Sequence, residues 1–224
     1  MNVGSIRCGC GMVVLYLPNP IPKNRCGCCC SDCLQRAYVG ADGKLPRVVL
    51  ERRAPIDLIY VDSVFLLPDP ETSARLGVFR LNDSSGANIS LRANCCVAVL
   101  CTENQAAHAP HSMATFNNLQ PSVSCDFIEL PEMSFHLFTS DWPEAFAKGL
   151  ASREIEELGV ARSQIAHPLS EMDNPFVIEL IRSFQIPPPS VSADFISFKE
   201  LREEMDIEIV HDYFDAARSH DNFF

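Results

Sequence analysis

The stretch RCGCCCSDC, from residue 25 to residue 33, carries five of the eleven cysteines of the chain. In an ordinary domain free cysteines are scattered as small apolar residues, and a disulfide within one tight loop rarely finds the Cα separation that it requires. The spacing Cys28-x-Cys30-x-x-Cys33 instead lets three thiolates converge on one tetrahedral ion, for which zinc is the usual choice. The stretch therefore predicts a metal site; redox use of the thiols and inert packing are the alternatives.

A site with three protein ligands has a particular chemical consequence. Its fourth position stays open to a substrate thiol or to water, which is typical of a catalytic zinc and not of a structural one. The spacing thus favours a reactive metal at this cluster.

Two more cysteine pairs flank a section with strand character. Cys8-x-Cys10 is followed by Gly11, which permits a tight turn, and the pair Cys95-Cys96 comes at the end of an apolar run. Because a metal site needs several ligands brought together, we expect the two pairs to meet. The alternative for Cys8 and Cys10 is a pair of packed small residues.

Composition limits the classes of partner. The chain has 18 Lys and Arg against 29 Asp and Glu, a formal net charge of -11, which disfavours nonspecific binding to nucleic acid or to anionic membranes. No apolar run approaches the roughly 20 residues of a membrane span, and the first residues lack the pattern of a signal peptide. We expect a cytoplasmic protein whose cysteines are thiols and metal ligands.

The chain divides into two sections by pattern. Residues 1–139 contain short apolar runs separated by turn residues, which predicts a mainly β core. The runs are Met12–Leu17, Val48–Leu50, Leu58–Val61, Val64–Leu67, Gly77–Leu81 and Ile89–Leu91.

Residues 140–224 change to a helical pattern. A first helix is expected from Ser140, a second over 176–184, and a third after the capping box that begins at Ser197. The third helix is expected to carry an apolar stripe at helical spacing that packs on the β core or, as the alternative, binds a partner. The stripe consists of Phe198, Leu201, Met205 and Ile209.

His108 and His111 lie three residues apart across a proline. Histidines in this setting can supply a fourth metal ligand or a general base, so both are candidate catalytic residues. A simple polar loop is the alternative interpretation.

The cysteine motifs, with Gly4-x-x-x-Cys8-x-Cys10-Gly11-x-Val13 at their start, resemble those of the glutathione-dependent formaldehyde-activating enzyme and centromere protein V family. The segment from Ser140 to Ala145 is similar to a segment of the centromere protein V branch. The resemblance covers about residues 4 to 150.

The resemblance implies a compact zinc-binding β-fold of two small stacked antiparallel sheets, here followed by a C-terminal helical extension, with one or two zinc ions. Its structural site implies Cys8, Cys10 and Cys95 as ligands, and its reactive site implies Cys28, Cys30 and Cys33. The last motif departs from the family pattern: Arg92 stands where the family has a cysteine, and Cys96 stands where it has a glycine. The fourth structural ligand is therefore open between Cys96 and Cys101.

The activity implied is that of a carbon–sulfur lyase acting on a glutathione-like thiol adduct, a small molecule whose sulfur binds the reactive zinc. Arg25, Arg36 or Arg92 could form a local basic pocket for an anionic tripeptide. The alternative is a non-catalytic, zinc-stabilised protein-interaction module. No Lys/Arg run supports nucleic-acid binding, no membrane partner is expected, and a homodimer is compatible with the pattern.

Overall fold

The computed structural model describes residues 3–28, 31–40, 55–81, 89–96, 98–104, 113–117, 123–126, 129–131, 136–137, 175–188 and 193–210. The strands are β1 (Gly4–Cys8), β2 (Val14–Leu17), β3 (Asn24–Cys28), β4 (Ile56–Asp62), β5 (Val64–Leu66), β6 (Leu76–Arg80), β7 (Ile89–Ala93), β8 (Ala98–Asn104), β9 (Met113–Asn117), β10 (Val123–Asp126), β11 (His136–Leu137), β12 (Phe195–Ser197) and β13 (Ile207–Ile209). The helices are α1 (Ser31–Gly40), α2 (Pro70–Ser73), α3 (Pro175–Ser183) and α4 (Phe198–Glu203). The mainly β class predicted from the sequence is confirmed.

The strands form stacked sheets. A larger sheet of eight strands has the order β11-β3-β4-β9-β8-β7-β6-β13, a smaller one has the order β10-β1-β2, and β12 pairs with β5. Pairing is antiparallel within the small sheet and through the middle of the large one, whereas β11 and β13 join its two edges in parallel. The large sheet is therefore larger than the family resemblance implies, and it is mixed at its edges.

The main core lies between the small sheet and the large one. Alternate residues of β4, Ile59 and Val61, are fully buried against Ile6 of β1 and Leu15 of β2. This is the period of two that a strand imposes on its inward-facing side chains. Each large side chain buried in this way stabilises the fold by roughly 1.5–3 kcal/mol.

Helix α1 is an element that the sequence analysis did not predict. It follows β3 directly and contributes the buried Ala37 and Val39. Val39 belongs to a second apolar cluster together with Phe79, Leu81 and Val99. The middle cysteine cluster is thus followed by a helix and does not lie in a loop of an all-β section.

The C-terminal elements contact the core directly. The predicted capping box is present: the Glu200 backbone N–H donates to Ser197 Oγ at 3.2 Å, and the Ser197 N–H donates to Glu200 Oε2 at 2.9 Å. Phe198 and Leu201 are buried in the main core, and Met205 packs against it. The assignment of Met205 and Ile209 to a helical stripe is wrong, because α4 ends at Glu203. Met205 follows the helix, and Ile209 lies in β13, 36% exposed.

The remaining predicted elements are two helices and one strand. The second predicted helix corresponds to α3, Pro175–Ser183. The helix expected from Ser140 and the strand-like run 48–50 lie outside the described residues. Among the helices that the structure does describe, none is long and apolar enough to cross a membrane.

Candidate metal centre

The first pair of cysteines is carried by a tight turn at the end of β1. The Cys8 carbonyl accepts from the Gly11 N–H at 2.8 Å, and the Cys8 N–H donates to the Val13 carbonyl at 3.1 Å. Gly11 has a φ of 74°, in the left-handed region that glycine adopts without steric cost. This geometry folds Cys10 back beside Cys8, and the Val13 N–H also points at Cys8 Sγ at 3.3 Å.

The second pair lies in the turn between β7 and β8. Strand β7 ends at Ala93, and residues 94–96 form a turn that two backbone carbonyls hold in place. The Asn94 N–H donates to the Arg75 carbonyl at 2.8 Å, and Asn94 Nδ2 donates to the Leu76 carbonyl at 3.2 Å. Adjacent residues point to opposite faces only on a regular strand, so this turn lets Cys95 and Cys96 present their thiols to one point.

The two pairs meet as the sequence predicted. The Sγ atoms of Cys8 and Cys10 are 3.4 Å apart, those of Cys8 and Cys95 are 3.7 Å apart, and those of Cys10 and Cys95 are 3.3 Å apart. With Cys96 they form the one group, within the described part of the chain, of three or more potential ligands whose donor atoms all lie within 4.8 Å of one another. We call these four residues the four-cysteine centre.

The donor set fits a tetrahedral zinc. Bonds of about 2.3 Å in a tetrahedron place the sulfurs about 3.8 Å apart, slightly more than the three distances among Cys8, Cys10 and Cys95. Cys96 lies where it could supply the fourth ligand, which the sequence left open. Cys101, the other candidate, is buried in β8 within the main core.

The thiols of the centre differ in their tendency to ionise. A hydrogen bond from the Met12 backbone N–H, assisted by hydrogen bonds with Cys95 and Cys8, lowers the pKa of Cys10 to about 7. Desolvation of its sulfur, together with hydrogen bonds to Cys10 and Cys8, raises the pKa of Cys95 to about 12, and desolvation also raises the pKa of Cys96. Of Cys10, Cys95 and Cys96, Cys10 therefore ionises first.

A cation lies beside the centre. Arg75 donates to Glu71 at 2.8 Å, and that hydrogen bond, with smaller contributions from the charges of Glu71, Cys95 and Cys10, raises the pKa of its guanidinium. A zinc held by four thiolates would carry a net negative charge, which the guanidinium of Arg75 would offset in part, since it also pairs with Glu71. The sequence offers no local signal that would have identified Arg75.

The middle cluster lies elsewhere, at the junction of β3 and α1. Cys28 is the last residue of β3 and Cys33 belongs to the first turn of α1, whereas Cys30 lies outside the described residues. In this region the described residues do not contain a second group of three donors within 4.8 Å. The three-cysteine site therefore stays a prediction.

A tyrosine lies under the middle cluster. Tyr60 of β4 is opposite Asn24 of β3 and so shares a face with Cys26 and Cys28. Burial, and then the charges of Cys26, Cys28 and Cys33, raise the pKa of Tyr60 well above its ordinary value. The thiols of Cys26, Cys28 and Cys33 therefore lie close enough to Tyr60 to influence the ionisation of its hydroxyl, and the cysteine spacing did not reveal this neighbour.

Arg25 and Arg92, two of the three arginines expected to form an anion pocket, lie in different parts of the large sheet. Arg25 donates to both carboxylate oxygens of Asp57, at 2.9 and 2.8 Å. Arg92 pairs with Glu208 and lies 5.9 Å from the centre of the Phe79 ring. Because β3 and β7 are four strands apart in the large sheet, roughly 19 Å, Arg25 and Arg92 do not share a pocket.

The remaining candidate residues are Arg36 and the two histidines. Arg36 is buried on α1, near the middle cluster in sequence. His108 and His111 lie outside the described residues, so their assignment as fourth ligand or general base stays a prediction.

Comparisons of the chain with protein-family models, with curated proteins and with solved structures gave no match.

Proposed function

We propose that this protein is a zinc-dependent carbon–sulfur lyase that acts on glutathione-type thiol adducts. The substrate sulfur would bind a zinc held by Cys28, Cys30 and Cys33. The observation that supports the proposal is the meeting of the first and last cysteine pairs in a centre of their own, which leaves the middle cluster separate from them. The family resemblance implies this same division of the cysteines between two sites.

The four-cysteine centre suits a structural role. Four protein ligands complete a tetrahedron and leave no position for a substrate. The centre also joins the turn after β1, in the small sheet, to the turn after β7, in the large sheet. A metal here would therefore tie together the two sheets that enclose the main core.

The middle cluster suits a reactive role because rigid elements carry it. Cys28 ends a buried strand, and Cys33 lies in the first turn of a ten-residue helix, where the helix dipole favours a thiolate. A zinc bound there would lower the pKa of a substrate thiol and make its sulfur both a better nucleophile and a better leaving group. Tyr60, buried beside these cysteines, packs edge-on against Phe184 at 6.5 Å and would hold the junction rigid from below.

One observation favours a second candidate function. Within the described residues the complete ligand set is the closed one, which by itself supports a zinc-stabilised module that binds another protein. In that case the middle cysteines would have no reactive metal.

The test compares Cys30→Ser with Cys29→Ser, a matched change at the neighbouring cysteine that the spacing does not use. We expect Cys30→Ser to abolish turnover of glutathione adducts and to lower the zinc content by about one ion per chain, with the circular dichroism spectrum unchanged. Cys29→Ser should retain both. Full turnover by Cys30→Ser, or no metal in protein purified under reducing conditions, would contradict the proposal.

A second measurement separates the two candidate functions. In cobalt-substituted protein, glutathione should change the absorption spectrum if its sulfur enters an open position of the metal. A spectrum that is unchanged at full occupancy would support the interaction module.

A further inference from the structure

The four cysteines of the centre differ sharply in their access to solvent. Cys8 is buried, with 3% of its surface exposed, and Cys96 is partly buried. Cys10 and Cys95 are exposed. Oxidation of a cysteine sulfur follows its exposure and its thiolate character, so an oxidant in solvent meets Cys10 and Cys95 first.

Among the three sulfur–sulfur distances that join Cys8, Cys10 and Cys95, the shortest is the one between these two exposed residues. Their Sγ atoms are 3.3 Å apart, and a disulfide bond is about 2.05 Å long. Closing the gap of roughly 1.3 Å requires only small movements, and both residues lie in turns, whose backbone adjusts more easily than that of a strand.

The approach to the pair is open on the side of the first turn. Apart from its two chain neighbours, no atom lies within 4 Å of a side-chain atom built at Gly11, the residue after Cys10. Because Cys10 itself is exposed, a small peroxide can reach its sulfur without rearrangement of the fold.

We propose that the four-cysteine centre is a peroxide-sensitive zinc switch, in which oxidation joins Cys10 to Cys95 and releases the metal. In the balanced step, hydrogen peroxide oxidises one zinc-bound thiolate to a sulfenic acid, and the second thiolate displaces hydroxide from it. The sum is two thiolates, one peroxide and two protons giving one disulfide and two waters. The two electrons go to the peroxide. Only Cys8 and Cys96 would then remain to hold the metal, so that it would be released.

The switch would loosen the centre without separating the sheets. The new disulfide still links the turn after β1 to the turn after β7, while Cys8 and Cys96 no longer bind a shared metal ion. A dithiol reductant and zinc should therefore restore the original state. This proposal concerns the four-cysteine centre and does not depend on turnover at the middle cluster.

The experiment treats the zinc-loaded full chain with hydrogen peroxide. Metal release is followed with a chromogenic zinc chelator, and the remaining thiols are then alkylated and the peptides mapped by mass spectrometry. We expect about one zinc released per disulfide formed, a disulfide between Cys10 and Cys95, and full reversal by dithiothreitol with zinc. Cys101, buried in the main core, should remain a thiol and serves as the internal control.

Peptide mapping of the unaltered protein keeps the test independent of variants that bind zinc poorly. A disulfide between Cys8 and Cys10, or sulfinic acid without any disulfide, would overturn the proposed pairing. Retention of zinc at a peroxide concentration that oxidises free glutathione would overturn the switch itself. In Cys95→Ser, loaded with zinc, peroxide should give no disulfide between the two turns.

Discussion

Arg202 and Glu103 form an ion pair whose disruption should be costly. Glu103 of β8 has a side chain with no solvent exposure, and Arg202 of α4, 21% exposed, donates to its Oε2 at 3.1 Å. Among the described residues the other oxygen of Glu103 has no hydrogen-bond partner. Arg202 is therefore the main compensation for a charge buried in the core of the protein.

The change to make is Arg202→Met, which keeps most of the aliphatic stem and removes the charge. Removing one partner of a buried pair costs about 3–5 kcal/mol, because the other charge stays buried without compensation. For a domain of this size each kcal/mol lowers the melting temperature by roughly 2–4 °C. We therefore expect the melting temperature to fall by about 6–20 °C.

The assay is thermal and urea unfolding of zinc-loaded protein at constant zinc concentration. The matched control is Arg182→Met, the same substitution in a pair with Glu179 that is exposed on both sides, at 71% and 63%. Such a surface pair contributes at most about 1 kcal/mol. The double variant Arg202→Met with Glu103→Met should recover most of the loss, because an apolar pair of similar volume often replaces a buried ion pair without cost.

Two results would refute this reasoning. Equal losses for Arg202→Met and Arg182→Met would show that the Glu103 charge is not the source of the cost. A double variant no more stable than Arg202→Met alone would show that packing of α4, and not the unpaired carboxylate, determines the stability of this contact.

Three further changes test other parts of the fold. Gly4→Ala should lower the free energy of unfolding by about 1–3 kcal/mol, because the new Cβ would lie 2.4 Å from Pro20 Cβ; an unchanged urea midpoint would contradict this. Hydrogen bonds from the Thr72 backbone and hydroxyl lower the pKa of Asp69, the N-cap residue of α2. The stabilisation that this cap gives is therefore full above the unfolded pKa of about 3.9. It is lost as the pH falls through the lower folded pKa. The melting-temperature difference between wild type and Asp69→Asn should shrink over that acidic range, and a constant difference would count against the cap. Deleting residues 190–224 removes β12, α4 and β13 and should lower the melting temperature and change selectivity among thiol adducts together; a truncated protein unchanged in both would show the tail to be dispensable.

The sequence predicted strands β4, β6 and β7 of the large sheet well because their signal is local. Strand β4 contains the run Leu58–Val61, and β6 and β7 coincide closely with their apolar runs. Such residues are bulky or β-branched and are bounded by turn residues, so propensity and burial point to the same structure.

The elements that the sequence missed depend on distant partners. Strands β12 and β13 have three residues each, and they form because β5 and β6 offer edges to pair with. A three-residue run carries too little periodicity to indicate a strand by itself. Helix α1 was missed because the cysteine spacing of this stretch indicated a metal-binding loop. Its apolar pattern is also weak, since Ala37 and Val39 form only a short buried face.

The role of Arg92 shows how the metal centre depends on residues that no cysteine motif contains. Arg92 stands where the resemblance implies a cysteine, yet its guanidinium donates to Asn94 Oδ1 at 2.9 Å and to Glu208 of β13. Asn94 begins the turn that presents Cys95 and Cys96, so the chain brings four potential ligands together by turning the backbone where the motif would use one more cysteine. Glu208 of the C-terminal section thereby helps to hold a turn that carries two of these four cysteines. Metal affinity of the centre should therefore respond to the C-terminal strand. This dependence arises from the contact between Arg92 and Glu208, which are 116 residues apart in the chain, and a pattern of neighbouring cysteines cannot encode it.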